Sequence, residues 1–96
     1  MGMINDMVKA THETAVQHGW WDAPLEFGTL IELCHSELSE ALEEYRKCKE
    51  PTETYYREDG KPEGIPSELA DTVILIMDMC GYYGIDLEAM LMEKAE

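Results

Sequence analysis

Carboxylates are the residues of this chain whose placement calls for chemistry. Asp71 and Asp78 stand seven residues apart in a segment that is otherwise nearly all apolar (Leu69, Ala70, Val73, Ile74, Leu75, Ile76, Met77, Met79, Cys80), with Glu68 one helical turn before Asp71. An unpaired carboxylate is costly to bury, so such groups are protonated, paired or bound to a cation. An upstream segment supplies partners, because Glu37, Glu40 and Glu44 line one edge of its apolar stripe. No Lys or Arg lies between residues 26 and 45 or between 66 and 83 to neutralise them. Setting the two helices side by side brings Glu37 and Glu40 against Glu68 and Asp71. That all-oxygen set suits Mg²⁺ or Mn²⁺. Taken singly, each acid also has a plainer use. Glu68 is a first-turn acid favoured by the helix dipole, and Glu40, Glu43 and Glu44 form a solvated face on which Glu43 reaches Lys47.

Four helices must position these groups. The first is expected from about Met3 to His18, with Ile4, Met7, Val8, Thr11 and Ala15 on one face and Gly19 as its stop. A short loop, Trp20 to Pro24, follows. The second helix, about Leu25 to Cys48, carries Phe27, Leu30, Ile31, Cys34, Leu38, Ala41, Leu42 and Tyr45 in one regular stripe, the mark of a bundle helix. From Lys49 to Gly64 the chain turns polar, with two prolines and two glycines, and reads as a loop. A loop that long inside a compact domain is usually functional or mobile. The third helix runs from near Pro66 to Tyr83 and is apolar nearly all round, so it is expected to be buried. A short fourth helix starts at Asp86, its N-cap, and turns Leu87, Met90 and Leu91 inward. No segment reads as strand. The fold class is all-α: an antiparallel bundle of about four helices in one domain, 1–96.

The chain has 96 residues, 21 of them Asp or Glu against 7 Lys or Arg, for a net charge of −14. A chain of this length buries only about 60–65% of the surface its unfolded form exposes, so a core completed by oligomerisation is expected. The charge argues against a nucleic-acid backbone or an anionic membrane as partner, since both would repel it. The longest apolar run, Val73 to Met77, falls far short of the roughly 20 residues of a membrane-spanning helix. The opening MGMINDMVKA lacks the apolar core of a secretory signal, and Gly2 lacks the context for myristoylation. Cys34, Cys48 and Cys80 form an odd set without a CxxC pair, which excludes a disulfide framework or a zinc knuckle. A cytoplasmic protein is the expectation.

The spacing of the acids also matches a known pattern. Glu37-Leu-Ser-Glu40, followed after 27 residues by Glu68-Leu-Ala-Asp71, resembles the ExxE…ExxD signature of MazG-type nucleotide pyrophosphohydrolases. These belong to the all-α NTP pyrophosphatase superfamily, which also includes dimeric dUTPases and phosphoribosyl-ATP pyrophosphohydrolases. The flanking HSELSEALEEYR (His35 to Arg46), KPEGIPSELADTVI (Lys61 to Ile74) and HGWWD (His18 to Asp22) resemble the short single-domain MazG-like proteins, and together cover about a third of the chain. The resemblance implies the MazG-like fold and hydrolysis of a nucleoside triphosphate at its α–β linkage, giving monophosphate and pyrophosphate, in nucleotide-pool house-cleaning. It implies that Glu37, Glu40, Glu68 and Asp71 hold Mg²⁺ (or Mn²⁺). It also implies a homodimer or homotetramer with the site near the subunit interface. An anionic triphosphate cannot approach four carboxylates without cations between them. Of the ExxE pair, Glu37 and Glu40, the first lies nearer the apolar stripe and is the better acceptor for the attacking water's proton.

Five of the seven basic residues (Arg46, Lys47, Lys49, Arg57, Lys61) fall between positions 46 and 61. They form either a loop that folds over the phosphates or an ordinary solvated loop. Lys61 is the one assigned to substrate, because KPEGIP is among the resembling segments. Trp20 and Trp21 either stack on a base or anchor the first loop against the bundle. Asp78 either binds a base or sugar edge or serves a neighbouring polar group. Glu32-Leu-Cys-His35 lacks the second motif a di-iron bundle needs. His12-Glu13 is followed by Val at position 16, so no zinc-protease motif is completed. Glu58-Asp59-Gly60 lacks the ligand spacing of an EF-hand. A dUTPase-like member of the same superfamily is the nearest alternative. A non-catalytic acidic helical module, binding cations or assembling with copies of itself, is the alternative from another class.

Overall fold

The computed structural model describes residues 2–95. Its elements are α1 (Met3–Gln17), α2 (Phe27–Arg46), β1 (Tyr55–Tyr56), β2 (Pro62–Glu63), α3 (Ile65–Tyr83) and α4 (Leu87–Lys94). The chain is mostly helical, in keeping with the all-α class expected from periodicity.

Where helices stop follows from the backbone. At Gly19, φ is +82°, and the amides of Gly19 and Trp20 return to the carbonyls of Val16 and Ala15. A left-handed residue past the last turn closes a helix in this way, and glycine adopts that conformation without a Cβ clash. At the end of α2 the same role falls to Cys48 at φ 68°, with the Lys49 amide returning to the Glu44 carbonyl at 3.1 Å. The helix therefore ends at Arg46 rather than Cys48. At α4 the Asp86 carboxylate accepts from the Ala89 amide, the N-cap anticipated from its side chain.

The expected sixteen-residue loop differs in kind. Tyr55 pairs with Glu63 and Tyr56 with Pro62 in an antiparallel hairpin. Two-residue strands leave no periodic signal, so the sequence could not announce them.

The described residues form two compact units, one comprising Phe27–Val73 and the other residues 2–26 with 74–95. In the first, Leu30, Cys34, Ala41 and Ile65 are buried, each large apolar side chain contributing about 1.5–3 kcal/mol by leaving water. In the second, Val8, Trp21, Met79 and Cys80 are buried, and Asn5 ties α1 to α4: its side-chain amide donates to Asp86 at 2.8 Å and its carbonyl oxygen accepts from the Glu88 amide. Among the described residues no large side chain is completely buried. The expectation that α3 is buried all round fails within a single chain. Leu69, Val73 and Ile74 are each about half exposed, because too few elements in either unit surround the helix.

Candidate metal centre

Within the unit Phe27–Val73, α2 supplies Glu37 and Glu40 from successive turns of one face, and the first turns of α3 supply Glu68 and Asp71. The start of α3 is fixed by the Glu68 amide bonding the Gly64 carbonyl at 3.1 Å and the Thr72 hydroxyl donating to the Glu68 carbonyl at 2.9 Å. Oxygen atoms of Glu37, Glu40 and Glu68 all lie within 4.8 Å of one another. Asp71 stands outside that triad but lines the same pocket of about 400 Å³, together with Arg57, Lys61 and Ser67. The three glutamates fulfil the helix-pairing argument. Asp71 faces the pocket with an exposed side chain.

Electrostatics are severe here. Glu68 is only 8% exposed, and its Oε2 is buried without a hydrogen-bond partner. Burial, followed by hydrogen bonds to Glu37 and Glu40 that require a proton, pushes its carboxyl up to about 8. Glu37 is also raised, first by burial and then by repulsion from Glu40 and Asp71, although the hydrogen bond from Glu68 works in the opposite direction. Carboxylates this close favour a neutral form of one of them or a positive charge among them. Glu37, Glu40 and Glu68 could hold a hard dication, which takes oxygen ligands and would supply that charge and a partner for the orphaned Oε2.

Basic residues of the hairpin turn border this pocket. Arg57 is committed to Asp59 at 3.2 Å and to Glu63 at 3.3 Å. Lys61 is exposed and makes no ion pair among the described residues. Sequence reasoning missed Ser67, and it left Glu44 among the carboxylates of the stripe edge. In the structure the Tyr55 hydroxyl donates to Glu44 at 2.6 Å, which holds the tyrosine's own ionisation up to about 12.

The remaining singled-out residues belong to the other unit. Asp78 is buried, and its Oδ1 accepts from the Trp21 indole N–H at 2.8 Å with His12 Nδ1 equally close. Trp21 lies flat on Tyr82, centroids 3.9 Å apart and planes 6° from parallel. Of the two uses open to this tryptophan, the geometry displays the anchor: one face is covered and the N–H is spent. Trp20 is 43% exposed. His12 was not anticipated as the partner of Asp78, because the two are 66 residues apart and no local pattern links them. Comparison with protein-family models, with curated proteins and with solved structures found no match.

Proposed function

We propose that this chain is a Mg²⁺-dependent nucleoside triphosphate pyrophosphohydrolase, converting a triphosphate and water to monophosphate and pyrophosphate. The observation that carries the reading is the triad Glu37, Glu40 and Glu68, with the Oε2 of Glu68 buried and unpartnered and Lys61 lining the same pocket. The ExxE…ExxD resemblance supplies the reaction. Glu37, Glu40, Glu68 and Asp71 would hold the cation. When bound, Mg²⁺ supplies charge neutralisation to the phosphates and acidifies a water. Glu37 takes the proton of the attacking water, and Lys61 offers its ammonium to the outer phosphate oxygens. Of the three residues expected to meet the base, Trp20 is exposed and keeps that proposed role, whereas Trp21 and Asp78 are spent on each other, on Tyr82 and on His12. The oligomer, homodimer or homotetramer, belongs to the same proposal, as does a cytoplasmic role in cleansing the nucleotide pool.

The test is pyrophosphate release from a panel of standard and modified nucleoside triphosphates, with Mg²⁺ and with EDTA. A variant carrying Glu37→Gln, Glu40→Gln, Glu68→Gln and Asp71→Asn serves as the blank. Metal-dependent release that disappears in the blank is the expected result, and strong preference for dUTP would shift the reading to the dUTPase-like alternative. No release from any triphosphate by folded protein would overturn catalysis and leave the cation-binding module.

A further inference from the structure

The hairpin that carries Lys61 is fastened at its foot. Gly64, at φ +113°, closes it: a Cβ there would sit 2.6 Å from the Glu53 carbonyl oxygen, so only glycine lets the two legs meet. At the far end the Arg57 amide bonds the Lys61 carbonyl and the Gly60 amide bonds the Arg57 carbonyl, both at 2.9 Å, while the Lys61 amide donates to Asp59. The hairpin has only two residue pairs of its own, too few to hold its orientation in water. What fixes it to α2 is Tyr55. Its hydroxyl donates to Glu44 at 2.6 Å, and its ring lies 4.4 Å beneath the ammonium of Lys49, which in turn pairs with Glu53.

We infer that Tyr55 is a positioning residue, a latch that binds the hairpin to Glu44 and so holds Lys61 at the mouth of the carboxylate pocket, facing the polyphosphate end of the substrate. This rests on the function proposed above. Arg57 lines that pocket with both its carboxylate partners already engaged, so Lys61 is the cation of the turn left for an external anion. The Tyr55 hydroxyl donates to Glu44 and not to any of the four proposed cation ligands, and the latch acts through Lys61.

Tyr55→Phe removes one oxygen and leaves the ring under Lys49. The expected result is a KM for the triphosphate raised about tenfold, the scale of one charge-assisted hydrogen bond, with kcat and Mn²⁺ affinity unchanged. In a Lys61→Ala background the same substitution raises KM no further, and Glu44→Ala reproduces it. Exchange of the Arg57 and Gly60 amides is faster in Tyr55→Phe than in the parent. Additive effects with Lys61→Ala, weakened Mn²⁺ binding, or unaltered KM with unaltered exchange would each overturn the latch. If the parent protein cleaves no triphosphate, the proposed function falls by itself. The latch is then read from Mg²⁺-dependent tripolyphosphate binding: weaker binding in both Tyr55→Phe and Lys61→Ala sustains it, and parental binding in Tyr55→Phe overturns it.

Discussion

Glu68 is the residue on which the site's chemistry turns. Its carboxyl is raised from an ordinary 4.5 to about 8, so between those values the folded chain holds a proton that the unfolded chain has released. Stability then falls as pH rises through that window, because the folded state binds more protons. The metal-free protein is expected to show a Tm that declines from pH 5 to pH 8. Glu68→Gln flattens this decline, since an amide keeps the neutral form at every pH. At pH 8 added Mg²⁺ raises the Tm of the parent and not that of the variant, as binding to the folded state requires. Thermal melts of both proteins across the pH range, with and without Mg²⁺, check all three outcomes, and equal pH slopes would remove Glu68 from its assigned place. The four acids themselves were legible in the sequence, because i,i+3 spacing on a helix fixes a shared face. Which of them is deepest was not, since depth depends on the neighbours that a given face meets.

At the scale of elements, the helices were legible and their fastenings were not. Apolar periodicity marks a helix, but a one-atom approach between helices leaves no trace in it. Gly81 is an example. A Cβ at that position would lie 2.5 Å from Cβ of His12 and 3.4 Å from the Val8 carbonyl oxygen, so the last turns of α3 meet α1 through a missing side chain. Gly81→Ala is expected to destabilise the fold by about 1–3 kcal/mol through overpacking, although alanine is the better helix former. Urea unfolding measures this, and a stability gain would show that His12 moves aside freely. His12 in turn pairs with Asp78, a buried carboxylate that also accepts the Trp21 indole N–H. The hairpin between α2 and α3 was hidden for a different reason. Its two residue pairs are held by Tyr55, Glu44 and Gly64, and none of these contacts has a period.

At the scale of the molecule, both units leave much apolar surface in water. In Phe27–Val73, Leu38, Leu42 and Tyr45 recur at helical spacing on α2 and are 48%, 46% and 62% exposed, while Leu69 and Val73 on α3 are 46% and 47% exposed. Regularly spaced exposed leucines on a bundle helix mark an interaction face, and a second copy of the chain is the proposed cover. Leu42→Glu, at a position outside the pocket the four acids line, is expected to shift sedimentation from oligomer to monomer, and an unchanged oligomer would place the interface elsewhere. No helix among the described residues is long and apolar enough to cross a membrane.

The sequence by itself determined the helical class, the approximate span of each helix and the sharing of one helix face by Glu37 with Glu40 and by Glu68 with Asp71. These are consequences of local periodicity, in which neighbours three and four residues apart must share a face. Only the tertiary structure decided that Glu37, Glu40 and Glu68 form the close triad with Asp71 beside it, and that Trp21 is stacked on Tyr82. The tethering of Glu44 to Tyr55 belongs to the same group. Those arrangements join residues distant in the chain or cross a turn of irregular backbone, where the outcome depends on how particular side chains fill space and satisfy one another's hydrogen bonds.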